Sequence, residues 1–291
     1  PSSPHSAWTS SPAPRWPECG TLQRENERHL ATPVDLGSSD EILRWCPLEV
    51  AGSAPWFGDT SSLNYMPQPI KVVVLGMYRS GSNRIYNIIR EATERHAPDV
   101  RVGHFGDVDE LDLAVSKDTP FVFKEHDIGP GLADRIRSGE VKALGTLRDP
   151  LPSVVSLSST FSWTTENVLD LSDRAVRTLE DLQGFVQLRT FEECISASPV
   201  KIAQIVRALD VPISLPIACH LAYRWRRKRL VQLSKEAELN REMGPDAATI
   251  IHPDHVGGRR VLPESNMLEL EAGIDALHLA ERVRLLRENM H

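Results

Sequence analysis

The stretch "KVVVLGMYRSGSNRIYNIIR", residues 71 to 90, constrains the fold more than any other part of the chain. An apolar, β-branched run stops at Gly76. A short loop follows with Arg79, Ser80, Gly81 and Ser82, and apolar residues then recur at helical spacing. Strand, glycine-bearing loop and helix in that order form the opening unit of a parallel sheet, with the helix's first amides aimed at the loop. The pattern continues. Strands are expected over 70–75, 100–104, 120–125, 141–147 and 184–189, with helices over 83–96, 107–117, 130–138, 150–160 and within 172–182. Beyond residue 198 the chain reads as helical, over 198–209, 216–240 and 266–288. Apolar strands alternating with helices define an α/β fold with a central, mainly parallel β-sheet flanked by helices and a helical C-terminal part.

Residues 1–67 differ in kind. They are rich in Ser and Pro, weakly periodic, and carry isolated Trp8, Trp16 and Trp56. This reads as an irregular N-terminal arm with one short helix near "SDEILRWC", leaving 68–291 as the folded domain.

The 291 residues include 41% hydrophobic and 25% charged side chains, the balance of a soluble globular protein. A net charge of -7 argues against broad nucleic-acid binding, while leaving room for an anionic ligand in a local basic pocket. No apolar run approaches the ~18 residues of a membrane span, and the opening residues lack the apolar core of a signal peptide. A cytoplasmic protein is the expectation; the first residue is not Met, so an upstream targeting segment stays open. Cys19, Cys46, Cys194 and Cys219 form no CxxC pair, which favours free thiols in a reducing compartment.

The loop has the frame of the phosphate-binding GxxxxGK[ST], but Ser82 stands at the Lys position and Asn83 at the metal-binding hydroxyl. A magnesium-dependent NTPase is disfavoured on that ground. Anion binding is retained: Gly81 allows close backbone approach and Arg79 adds a fork of donors. "RSGSN" resembles the 5'-phosphosulfate loop of the sulfotransferases that use 3'-phosphoadenosine 5'-phosphosulfate (PAPS), with Asn83 where many members carry a hydroxyl. The resemblance implies a P-loop-like sulfotransferase fold in which Arg79, Ser80, Gly81, Ser82, Asn83 and Arg84 bind the cofactor.

Three further segments resemble the same family in the same order. "TLRDPLPSVVSL", residues 146 to 157, is similar to its 3'-phosphate motif and assigns Arg148 and Ser156 to that phosphate. Ser156 lies about two turns into the helix and reaches the same ligand only if the chain folds over it. "FVFKEHD", residues 121 to 127, is similar to the family's K-[TS]-H segment. Strand alternation puts Lys124 and His126 on one side and Glu125 on the other, at the carboxyl end of a strand. The resemblance makes His126 the general base, a role suited to an imidazole of ordinary pKa near ~6.5, with Arg79 and Lys124 as its catalytic partners. His104 is the rival base, and Glu125 either couples to His126 or faces solvent. "FVQLRTFEECISASPVKIAQIVRALDVPI", residues 185 to 213, is similar to a strand, loop and helix that contact adenine, with Phe191 at the stacking position.

A late loop, "HPDHVGGRR", offers Gly258, Arg259 and Arg260 to the 3'-phosphate, with a solvated turn as the alternative. Its HxxH pair lacks a third ligand, so no metal site is assigned. The basic run "YRWRRKRL" reads as a solvated helix. The implied activity is metal-free, in-line transfer of the sulfuryl group from PAPS to a hydroxyl or amine, leaving PAP. The expected acceptor is a small molecule, with a carbohydrate as the second option; a homodimer is compatible with the sequence. Acceptor contacts are expected from 104–117, from 157–172 with Phe161 and Trp163, and from the helices after 214. Two alternatives stay open: a P-loop kinase or NTPase, and a catalytically silent relative that binds PAP or a partner protein.

Overall fold

The computed structural model describes residues 69–104, 108–115, 119–161, 163–196, 198–226 and 262–290. The arm 1–67, the loop 252–260 and the second half of the basic run 223–230 lie outside the described residues, as do Cys19 and Cys46. Five strands form one sheet: β1 Lys71–Gly76, β2 Arg101–Gly103, β3 Phe121–Lys124, β4 Lys142–Leu147 and β5 Val186–Thr190. Every neighbouring pair is parallel, in the order β2-β3-β1-β4-β5. All five expected strands are present, displaced at their ends by one or two residues.

β1 is central and buried along its whole length, which is why it reads as a continuous apolar run instead of an alternation. Its side chains divide between two cores. Val73 and Leu75 pack on one face, with helices α2 Val108–Val115, α3 Pro130–Arg137, α4 Pro150–Phe161 and α5 Thr165–Asp181. Val72 and Val74 pack on the other, with α1 Ser82–Glu94, α7 Pro199–Arg207 and α8 Leu215–Arg224. Each buried aliphatic side chain contributes about 1.5–3 kcal/mol, so a three-layer sandwich of this kind is driven mainly by these two faces. A short helix, α6 Phe191–Ile195, follows β5, and α9 Glu264–Ala276 and α10 Leu279–Glu288 close the first core through Leu270, Ile274, Val283 and Leu286.

Four helical expectations are corrected. The helix expected within 172–182 starts much earlier, at Thr165, because Thr164 caps it by accepting from the Asn167 amide. The single helix over 266–288 is two, broken where His278 adopts a left-handed φ of 52°. Of the helix expected over 216–240, the described part runs Leu215–Arg224 and ends where Trp225 buries its ring; 227–240 lie outside the described residues. α6 was read as loop; it is fixed by a capping box in which the Thr190 hydroxyl accepts from the Glu193 amide and the Glu193 carboxylate accepts from the Thr190 amide.

Candidate functional site at the ends of three central strands

The loop between β1 and α1 is shaped by sterics. Gly76 has φ 149°, and a Cβ there would lie 2.0 Å from Thr146 Oγ1 on β4. Only glycine lets the two strands close at this point. The Met77 amide donates to the Thr146 carbonyl at 3.0 Å. Ser80 Oγ lies 2.5 Å from both Met77 O and Thr146 Oγ1, fully buried. Its hydroxyl therefore builds the floor of the loop. Arg79 takes a left-handed φ of 59° and Gly81 a φ of 86°, so the chain curls before α1 begins. α1 has no side-chain cap at its N-terminus. An uncapped first turn of amides at a curled loop is a suitable seat for an anion.

Three other elements converge on this loop. Arg79 Nε donates to Ser156 Oγ at 2.8 Å, so the second turn of α4 does fold over the loop. Ser153, one turn earlier, donates to the Tyr78 carbonyl. Arg148 Nη1 donates to the Arg79 carbonyl at 2.9 Å, and its guanidinium lies 4.3 Å from the centroid of the Phe191 ring. Phe191 and Cys194 of α6 also stand beside Gly81, where a Cβ would meet them at 3.4 and 3.2 Å. Arg84 points elsewhere. Buried, with a pKa lowered to about 10 by that burial, it donates to the Trp225 carbonyl at 2.7 Å and the Cys194 carbonyl at 2.5 Å. Burial pushes the Cys194 thiol up to about 12, so it is an inert neighbour and not a nucleophile.

At the end of β3, Lys124 Nζ lies 2.6 Å from His126 Nε2. His126 Nδ1 lies 2.6 Å from the Gly76 carbonyl. A carbonyl only accepts, so Nδ1 carries the proton and Nε2 presents its lone pair to the lysine. Burial lowers the Lys124 pKa to about 8, against a smaller opposing effect of Glu125. The Tyr78 ring stacks on the imidazole with centroids 3.7 Å apart and an interplanar angle of 17°. Glu125 points the other way, as alternation requires, yet it is buried and not solvated. Its Oε2 lies 3.0 Å from His104 Nδ1, which also reaches the Lys124 carbonyl at 2.8 Å. Glu125 thus partners the rival histidine.

Arg79, Ser80, Gly81, Ser82, Lys124, His126, Arg148 and Ser156 are thereby gathered at the carboxyl ends of β1, β3 and β4 and on the elements that follow them, and Phe191 joins them from the helix after β5. This is where an open parallel sheet carries its crevice. Gly258, Arg259 and Arg260 lie outside the described residues. Sequence reasoning missed Tyr78, Thr146 and Ser153. The signals for them were faint: an aromatic inside a glycine-bearing loop, and lone hydroxyls in otherwise apolar segments. Trp163, expected at the acceptor side, packs against the hydrophobic core. Among the described residues no group of three His, Cys, Asp or Glu side chains could hold a metal ion. None of the helices among them is long and apolar enough to cross a membrane.

No protein-family model matches the sequence, and no curated protein does. Solved structures do match. A mouse sulfotransferase, SULT7A1, complexed with PAP aligns over 75% of this chain and 88% of its own, with a TM-score of 0.50 at 13% identity. Retinol dehydratase aligns in two structures with a TM-score of 0.47. With androsterone and inactive cofactor PAP it is 15% identical over 72% of this chain and 81% of its own. With retinol and PAP it is 14% identical over 72% and 82%. The chain has the sulfotransferase fold: a five-stranded parallel sheet flanked by helices, as the PAPS-family resemblance of its motifs implied.

Proposed function

We propose that this protein is a PAPS-dependent sulfotransferase acting on a hydroxyl or amine of a small-molecule acceptor. The observation that carries the reading is the convergence of Arg79, Arg148, Ser156 and Phe191 on one uncapped helix start, with Lys124 and His126 at the adjacent strand end. The residues fit the cofactor. Two guanidinium groups and the first amides of α1 provide for two phosphate positions. An aromatic ring at Phe191 provides for a flat base, and Gly81 leaves room for close backbone approach. Bound PAPS supplies the sulfuryl group, which passes in line to the acceptor as PAP departs.

The chain's own residues do the rest. Arg148 and Ser156 hold the 3'-phosphate end, and Phe191 holds the base. Arg79 is always charged, so it acts as an electrostatic clamp on the leaving phosphate side and not as a proton donor. The Lys124 ammonium gives up its contact with His126 Nε2 for the anionic donor. The vacated lone pair then takes the acceptor's proton, while Nδ1 keeps its own proton on the Gly76 carbonyl.

Calorimetric titration with PAP and with ATP, each with and without magnesium, tests the class. Tight, magnesium-independent PAP binding with negligible ATP binding is expected. Magnesium-dependent ATP binding without PAP binding would place the loop in a kinase-like site and end this reading. PAP binding with no turnover on a broad acceptor panel would favour a silent relative.

A further inference from the structure

The Tyr78 side chain lies flat on His126, and it belongs to the anion loop, not to the strand that leads to the histidine. Its backbone is pinned on both sides. The Met77 amide is tied to Thr146, and the Tyr78 carbonyl accepts from Ser153. The ring packs against the core cluster on the same face of the sheet as Leu75. It is therefore a fixed wall and not a mobile lid. Burial raises its hydroxyl pKa, with Arg174 opposing and Glu125, Asp127 and Asp170 adding to the rise, so the phenol stays neutral and is not itself a base.

An imidazole at the end of a strand keeps rotation about its outer side-chain bond, and that bond has a broad torsional well. Hydrogen bonds at Nδ1 and Nε2 oppose that rotation together, but once Lys124 turns to an anionic donor only the bond from Nδ1–H to the Gly76 carbonyl opposes it. A flat ring at 3.7 Å removes that freedom. We propose that Tyr78 is the positioning residue of His126: its stack holds the imidazole in the plane where Nδ1–H meets the Gly76 carbonyl and Nε2 faces the site. The catalytic meaning of this relation rests on the proposed role of His126 as base. Tyr78 immediately precedes Arg79, so the base and the anion clamp are registered to each other by two consecutive residues.

Long-range proton–nitrogen NMR of the full chain tests this, with the His126 signals identified by their loss in His126→Gln. The wild type is expected to show His126 as a single Nδ1–H tautomer, its ring protons shifted upfield by the tyrosine. Tyr78→Phe keeps both features. Tyr78→Leu is expected to give a mixture of tautomers while PAP affinity stays within about twofold, since no cofactor contact is removed. Should Tyr78→Leu fail to fold, Tyr78→Met, whose thioether adapts to the same volume, is read in the same way. A single Nδ1–H tautomer persisting in the aliphatic variant, or no upfield shift in the wild type, overturns the inference. Failure of the wild type to bind PAP overturns the proposed function instead, and the two results are read independently.

Discussion

Lys124 Nζ sits 2.6 Å from His126 Nε2, so the ammonium covers the lone pair that would take an acceptor's proton. The lysine is buried, and burial lowers its pKa to about 8. In the unfolded chain it titrates near ~10.4. Below the folded pKa both states are charged and the native state bears the desolvation cost. As pH rises from about 8 toward 10, the folded lysine is neutral while the unfolded one still binds a proton, so this residue's cost shrinks. Melting curves of the wild type and Lys124→Met should show the wild type gaining on the variant across that window. A constant difference between pH 7 and 10 would mean the lysine's titration is not shifted.

His126→Ala should reduce turnover by at least about 100-fold, the scale of a lost general base, with PAP affinity nearly unchanged. Single-turnover kinetics and calorimetry on the same preparation separate the two effects. Equal loss of both would remove the base assignment and turn attention to His104, which the Glu125 carboxylate orients.

Arg148→Ala should weaken PAP binding by about 2 kcal/mol or more, the range for hydrogen bonds to charged groups. Part of that loss is indirect, because Arg148 also supports the Arg79 carbonyl and covers Phe191. Calorimetry measures it directly, and unchanged affinity would remove Arg148 from the site.

Gly76→Ala tests the loop's foundation. A methyl group there would lie 2.0 Å from Thr146 Oγ1 at a φ of 149° that L-residues avoid. Overpacking and backbone strain together predict about 2–4 kcal/mol of destabilisation, measured by denaturant unfolding. A loss below about 0.5 kcal/mol, the level of a surface substitution, would show that β1 and β4 separate freely there.

Much of this architecture was legible beforehand because the signals were local. β1 and β4 announce themselves as buried runs, and the four motifs follow one another along the chain. Pairings between distant segments were not legible. Ser156 reaching Arg79 depends on how α4 crosses the loop, which spacing alone leaves undetermined. Glu125 was left between solvent and His126, and the structure pairs it with His104, the residue just after the edge strand β2. α6 escaped notice because a five-residue helix has no apolar period to read, only the Thr190–Glu193 capping box. The break at His278 was hidden for the opposite reason: both flanking helices share one continuous apolar stripe, and a left-handed histidine leaves no mark in composition.

The buried Arg84 clamp has a wider consequence. One guanidinium holds the carbonyl of Cys194, at the end of the helix that presents Phe191, and the carbonyl of Trp225, where α8 ends. The start of α1, the ring expected under a nucleotide base and the exit of α8 are therefore parts of one solid joint. Two walls of the crevice are thus tied to one side chain that never faces it, so a substitution that repacks either wall is felt at the other.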